Sequence, residues 1–386
     1  MVFTTKNERK TFMVETREVK TKKERKIFAT FPIKHYENCP YYVPSFYSDE
    51  ISILDEKKNF SLETCDVKCF LAYKDGKVVG RIAGIIQNQY NEIANVKNIR
   101  FSRFECIDDK EVATALFDAV ANFGRERGMN KMHGPWGFND QDREGMLTYG
   151  FDRRSTFVTN YSYEYYPKLT YDYGFADECE WVEYELHCTE KVDERFNRIA
   201  EKIKQRNGFV ELADTMPINQ IVKRYGKEVF GVINECYKVL DGYVPVEGKV
   251  LDGILDSFGV ICNPDYVSVI ANKEGKVVAF GLAFPSICDA IIKGKGKMTL
   301  PTIFRLLKVI KNPSEIELAL IAVLPEYRTM GLNALVINRI QQNIVKNGVK
   351  IVESNPELVT NLAVQGQWEN IDREIIKRRK CFSKSI

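Results

Sequence analysis

No stretch of this 386-residue chain approaches the roughly 20 consecutive apolar residues that a membrane-spanning helix needs, so no span is expected. The N-terminus lacks a signal-peptide core, and the two absences together lead us to expect a cytoplasmic protein. Histidine is scarce: His35, His133 and His187 stand alone without metal-ligand spacing, which argues against zinc, and no metal is expected. The ten cysteines include no Cys-x-x-Cys pair, and several sit in apolar runs such as Val260-Ile-Cys262. They read as reduced thiols rather than a disulfide framework. Neither sign of charge dominates, with a net of +3, so the broad basic surface of a nucleic-acid binder is not expected. What is present, 44% apolar and 28% charged residues, suits a soluble globular protein about twice the length of one ordinary domain.

The most informative segment is Val323-Leu-Pro-Glu-Tyr-Arg-Thr-Met-Gly-Leu-Asn-Ala-Leu335. Ahead of it, Glu315 to Leu324 reads as a buried strand. Behind it, Leu332 to Val345 places apolar residues at helical spacing. A turn from strand end to helix start points the first free amides outward, and the helix dipole adds positive potential there. Gly331 permits close backbone approach, and Arg328 adds a permanent positive charge with several donors. The segment is therefore a candidate anion cradle. Strand alternation puts Glu315, Glu317, Ala319, Ile321 and Val323 on one face, so a carboxylate precedes the cradle on the same surface.

The pattern Arg328-x-x-Gly331-x-Asn333 resembles the Gln/Arg-x-x-Gly-x-Gly/Ala signature of the GNAT superfamily of N-acetyltransferases, with Asn at the third position. The resemblance implies that the loop holds the pyrophosphate of acetyl-CoA or another acyl-CoA, a co-substrate gripped by Val323 and by the amides of Arg328, Thr329, Met330, Gly331, Leu332, Asn333 and Ala334. It also implies that Glu317 is the general base, that a backbone N–H near Val323 polarises the thioester carbonyl, and that Asn361, or alternatively Asn355, bonds the pantetheine arm. Many members place a tyrosine seven residues after that Asn to protonate the leaving thiolate. Trp368 stands there instead, leaving water, Tyr327 or Tyr237 as proton sources.

An internal repeat is visible. Phe70 to Ala83 and Val267 to Ala283 each read as a strand, a Lys-Asp/Glu-Gly-Lys turn and a strand. Each is followed by a third strand (Ile99 to Ile107; Ile316 to Leu324), an amphipathic helix (Glu111 to Arg127; Leu332 to Lys346) and a glycine-opened strand (Gly128 to Gly134; Gly348 to Glu353). The expected fold is α/β (α+β), two tandem acyl-CoA N-acyltransferase folds with mostly antiparallel sheets flanked by helices. Residues 1–187 form a degenerate first half and 188–386 a second half with the coenzyme A site, joined near Cys188 to Asp193. The first half is degenerate because Asp108, Asp109 and Glu111 stand where the basic turn should be, and they would repel a pyrophosphate.

Phe31-Pro32 with Tyr41-Tyr-Val-Pro44, Asp75 to Ala83, His133 to Phe138 with Gly145 to Phe151, and Pro325-Glu-Tyr327 extend the resemblance to a bacterial family of tandem acetyltransferase-like proteins with unsettled substrates. It implies acyl transfer from acyl-CoA to a small-molecule or peptide amine. The alternatives are transfer from a carrier protein or aminoacyl-tRNA, and a non-catalytic binding protein. Three segments remain. Lys377-Arg-Arg-Lys380 reads as a solvated helix face or a phosphate contact. The tyrosines from Tyr161 to Tyr171 read as a half-buried strand or as cleft lining. Ile291 to Ile310, a Gly-Lys loop and an amphipathic helix, could pack on the core, cap the site or touch a membrane.

Overall fold

The structure, a computed structural model, describes residues 13–187, 194–240, 242–368 and 371–386. The expected joining stretch near Cys188 to Asp193 lies outside the described residues. Among the described residues, fourteen strands form one mixed sheet. In chain order they are β1 (Glu15–Glu18), β2 (Cys65–Lys74), β3 (Lys77–Gln87), β4 (Asn98–Cys106), β5 (Lys131–Gly134), β6 (Met146–Tyr149), β7 (Ala176–Leu186), β8 (Val210–Glu211), β9 (Val267–Ala271), β10 (Val277–Pro285), β11 (Glu315–Val323), β12 (Ile351–Glu353), β13 (Glu357–Leu358) and β14 (Arg373–Ser385).

Both expected hairpins form, for local reasons. Asp75 and Gly76 both have positive φ (53° and 72°), the backbone of a two-residue primed turn that matches strand twist. The second turn is longer: Asn272 accepts from the amides of Glu274 and Lys276, and Gly275 alone turns left-handed. Behind the first hairpin the helix Lys110–Glu126 buries Val112, Leu116, Phe117 and Val120. Behind the second, the helix Leu332–Lys346 buries Leu335, Val336 and Ile340, and the helix Ile218–Tyr237 buries Val229, Phe230 and Ile233. Apolar residues at i, i+3 and i+4 produce these faces.

The spatial order is β1-β2-β3-β4-β5-β14-β7-β12-β11-β10-β9-β8. Thus β14, the last strand of the chain, pairs with β5 of the first half from Phe382↔Gly134 to Ser385↔Lys131. In turn β7, which ends the first half, pairs with β12 through Val352↔Leu186 and Glu353↔Glu185. Each half completes the other's sheet, and β7 and β14 run antiparallel along the seam. The division at 187/188 stands as a proposal about the sequence repeat; the sheet itself crosses it.

The basic run 377–380 is therefore strand, not helix. Alternation turns Lys377 and Arg379 inward, where both are fully buried. Lys377 Nζ lies 3.1 Å from Glu183 and 3.0 Å from Glu353, and Arg379 pairs with the other oxygen of Glu183. Arg378 and Lys380 face outward, to Glu180 and Asp177. The tyrosine-rich segment also departs from expectation. Tyr165–Asp172 is a helix, and Tyr161, Tyr163 and Tyr166 pack around His35 and Tyr36 inside the first half.

Candidate active site in the second half

A cavity of about 1500 Å³ opens between β11, the helix Leu332–Lys346 and the segment 355–368. Its walls are mostly apolar, with Leu282, Phe284, Leu318, Leu320, Val336 and Ile340 among them, while Trp136, Asp140, Glu144 and Phe157 of the first half close one side. That volume exceeds the 300–1,000 Å³ usual for a small-molecule site.

The strand carrying the candidate base is not a simple alternating strand. Leu282 pairs with Leu320 but Ala283 pairs with Leu318, so Ala319 has no partner on β10. A bulge of this kind bends the strand and re-aims the side chains on either side. It shifts the alternation between Leu318 and Leu320, and residues 317 through 323 all border the cavity, where the sequence pattern assigned alternate residues to opposite faces.

Glu317 is 3% exposed and borders the cavity. Its Oε1 accepts from Ser286 Oγ at 2.7 Å and Cys288 Sγ at 3.2 Å, and its Oε2 accepts from the Phe157 amide at 3.2 Å. Burial raises its pKa above the ordinary carboxylate value, and these donors only partly oppose the shift. Glu315, two residues earlier, has a different environment. Arg154 of the first half holds it at 2.5 and 2.7 Å and also bonds Asp289. The cross-half guanidinium thus pairs with Glu315, while the donors to Glu317 among the described residues are all neutral.

At the other end of β11, Pro325–Met330 forms a short 3₁₀ turn, and Gly331 (φ 80°) opens the helix Leu332–Lys346 without a side-chain cap. The first half differs at the equivalent position. Asp109 caps the helix Lys110–Glu126 by accepting from the amides of Glu111 and Val112, and it pairs with Lys74 at 2.6 Å. Val323, Arg328, Asn333 and Ala334 border the cavity; Thr329, Met330, Gly331 and Leu332 are not among its lining residues. Arg328 is exposed, and its Nε donates to Val323 O at 3.4 Å. A Cβ on Gly331 would meet Ile203 Cδ1 at 2.7 Å. The glycine therefore allows the helix Glu194–Asn207 to pack against the turn, a contact that the motif alone did not reveal.

The segment after β12 is shorter in helix than expected. Glu357-Leu358 is a strand, and Asn361 caps the brief helix Leu362–Gln365 through the Val364 amide. Asn361 and Asn355 both border the cavity; Asn355 Oδ1 is buried without a partner among the described residues. Trp368 Nε1 donates to Glu357 Oε1 at 2.7 Å. Burial pushes the Glu357 carboxyl up to about 7, and its Oε2 has no partner among the described residues. Tyr237 borders the cavity and donates to Ile321 O. Tyr327 faces away, accepting from Asn272.

Several of these groups could not be found by motif. Phe157, Ser286 and Cys288 meet Glu317 only after folding. On the first-half wall burial pushes Asp140 up to about 7, and burial with Asp140 beside it raises Glu144 well above the usual range. Trp136 Nε1 and Glu144 Oε2 are buried there without partners among the described residues.

No protein-family model matches the chain. Protein YghO of Escherichia coli is 23% identical over 380 residues, covering 95% of this chain and 94% of its own. The bacterial ceramide synthase of Caulobacter vibrioides is 24% identical over 287 residues, 72% of each chain. Among solved structures, a tandem GNAT protein from the clavulanic acid biosynthesis pathway superposes with a TM-score of 0.52 at 10% identity, over 96% of this chain and 98% of that one. A GCN5-related N-acetyltransferase from Sphaerobacter thermophilus gives 0.50 at 9%, over 96% and 95%. With the repeated hairpin, strand and helix order and the uncapped turn after β11, these likenesses make the chain a tandem GNAT-fold protein.

Proposed function

We propose that the protein transfers an acyl group from acyl-CoA to an amine, using the second-half cavity. The observation that carries this reading is Glu317, a buried carboxylate with raised proton affinity at one end of a cavity whose other end meets an uncapped helix start. Arg328 and the amides from Thr329 to Ala334 would hold the pyrophosphate. Asn355, with its free oxygen, or Asn361 would hold the pantetheine arm. The amine loses a proton to Glu317 and its nitrogen attacks the thioester carbon; the C–N bond forms, the C–S bond breaks, and the departing thiolate takes a proton. Glu357, protonated near neutrality and held by Trp368, supplies that proton where the family's tyrosine is missing.

The apolar walls and volume favour an acyl chain longer than acetyl, since each buried methylene is worth about 0.8 kcal/mol. The Caulobacter relative supports the same reaction class, because a ceramide is a long-chain amine bearing an amide-linked acyl chain. Asp140 and Glu144 form the wall that would receive a cationic amine. The test is a mass-spectrometric screen of acyl-CoA donors from two to eighteen carbons against polyamine, amino-sugar and long-chain amine acceptors. Product with at least one pair, lost in Glu317→Gln, supports the proposal. If no acyl-CoA binds by calorimetry while an acylated carrier protein does, the carrier-dependent alternative replaces it.

A further inference from the structure

The insertion between β10 and β11 contains the helix Leu300–Lys311, which turns an apolar stripe toward water. Leu300 is 73% exposed, Ile303 37%, Phe304 72% and Leu307 54%, at the i, i+3, i+4, i+7 spacing of a single helix face. Met298, just before the helix, is 46% exposed. The opposite face anchors the helix: Thr302 and Leu306 are buried, and Leu306 with Ile310 packs against Val43, Phe46, Ile287 and Ile291. The outward stripe is thus surplus to the core, and contiguous exposed apolar surface of this kind marks an interaction site.

Charge identifies the occupant. From Lys293 to Lys311 the chain carries six basic residues and no acidic one. Lys293, Lys295 and Lys297 lie on the loop leading in, and Arg305, Lys308 and Lys311 lie on the helix. Gly296 pins the loop to the first half, its carbonyl accepting from the Tyr47 amide at 2.8 Å, and Lys297 lies 5.6 Å from the Tyr47 ring. We infer that this face docks on an anionic lipid surface, with Leu300, Phe304 and Leu307 entering the acyl boundary and the basic side chains meeting lipid phosphates. The preceding helix, Cys288–Gly294, begins with the thiol that bonds Glu317. The insertion that carries the docking face therefore starts beside Glu317. The docking itself does not rest on the acyl-transfer reading.

The test is co-sedimentation of the full chain with vesicles of phosphatidylcholine alone or with phosphatidylglycerol, across a salt series. Binding to phosphatidylglycerol vesicles that weakens with salt is expected. The Leu300→Ser/Phe304→Ser pair should lower partitioning at least tenfold, and Lys308→Glu or Lys311→Glu roughly fivefold or more, with unchanged circular dichroism. Ile93→Ser, which alters an equally exposed apolar residue elsewhere, should bind like the parent. The inference is overturned by absence of vesicle binding, by equal binding to phosphatidylcholine alone, or by binding that the stripe substitutions leave intact. It is also overturned if the parent self-associates without vesicles and the serine pair abolishes that association, which would make the stripe an interface between copies. Each outcome can be read whether or not acyl transfer is detected.

Discussion

Two glutamates one pleat repeat apart on β11 acquire different chemistry from their surroundings. Glu315 is paired with Arg154, whereas Glu317 is buried among neutral donors. Glu317→Gln keeps the shape and hydrogen-bonding reach but removes the base. We predict a 10²- to 10⁴-fold fall in kcat with acyl-CoA affinity unchanged, measured by steady-state kinetics and calorimetry; parental turnover would remove Glu317 from the mechanism. Glu357 sets the other limb. If Glu317 must be ionised and Glu357 protonated, kcat rises from acid pH and falls again above about 7, and Glu357→Gln loses the alkaline limb. Stability follows the same group. Its folded pKa of about 7 lies above the ordinary 4.5, so its contribution is fully present below about 4.5 and is lost as pH rises through 7. The shift corresponds to about 3 kcal/mol. Denaturant melts at pH 4.5 and 8 should therefore differ more for the parent than for Glu357→Gln; equal differences would contradict the assignment. Glu317 was legible as a candidate because strand and turn are adjacent in sequence. Its donors Ser286 and Phe157 were not, lying 31 and 160 positions away.

At the scale of elements, the contrast between the two helix starts was legible because capping is local chemistry. Asp109 offers an oxygen to the amides one turn ahead, while Gly331 offers none. The two hairpins were legible from Asp-Gly and Glu-Gly for the same reason. The bulge at Ala319 was not, since nothing in Glu315 to Val323 says which residue β10 will skip. The turn before the helix combines both kinds of constraint. Gly331→Ala places a methyl group in a left-handed backbone conformation and against Ile203, and we expect a loss of about 1–2 kcal/mol in denaturant unfolding. Restoring room with Ile203→Val in the same chain should recover part of that loss. If the double variant is no more stable than Gly331→Ala, backbone strain alone accounts for the cost.

For the whole molecule, the exchanged strands make the halves interdependent. Removing residues 372–386 deletes β14 and exposes the edges of β5 and β7 together, so both halves should lose cooperative structure. Intact protein should show a single calorimetric transition, and two separate transitions would contradict this coupling. The seam also holds a fully buried charge group. Lys377→Met leaves Glu183 with Arg379 alone and Glu353 without its lysine, a loss we place at about 3–5 kcal/mol by denaturant melts. The sequence by itself determined the periodic faces, the turn chemistry, the repeated element order and the opposite character of the two helix starts, because these depend on residues within one or two turns of each other. Only the tertiary structure decided that β14 leaves its own half, that the basic run is a buried strand, that Phe157 bonds Glu317 and that the acidic wall lines the same cavity. Those outcomes depend on burial and charge pairing between segments up to about 250 positions apart, and local pattern carries no record of which partner each will meet.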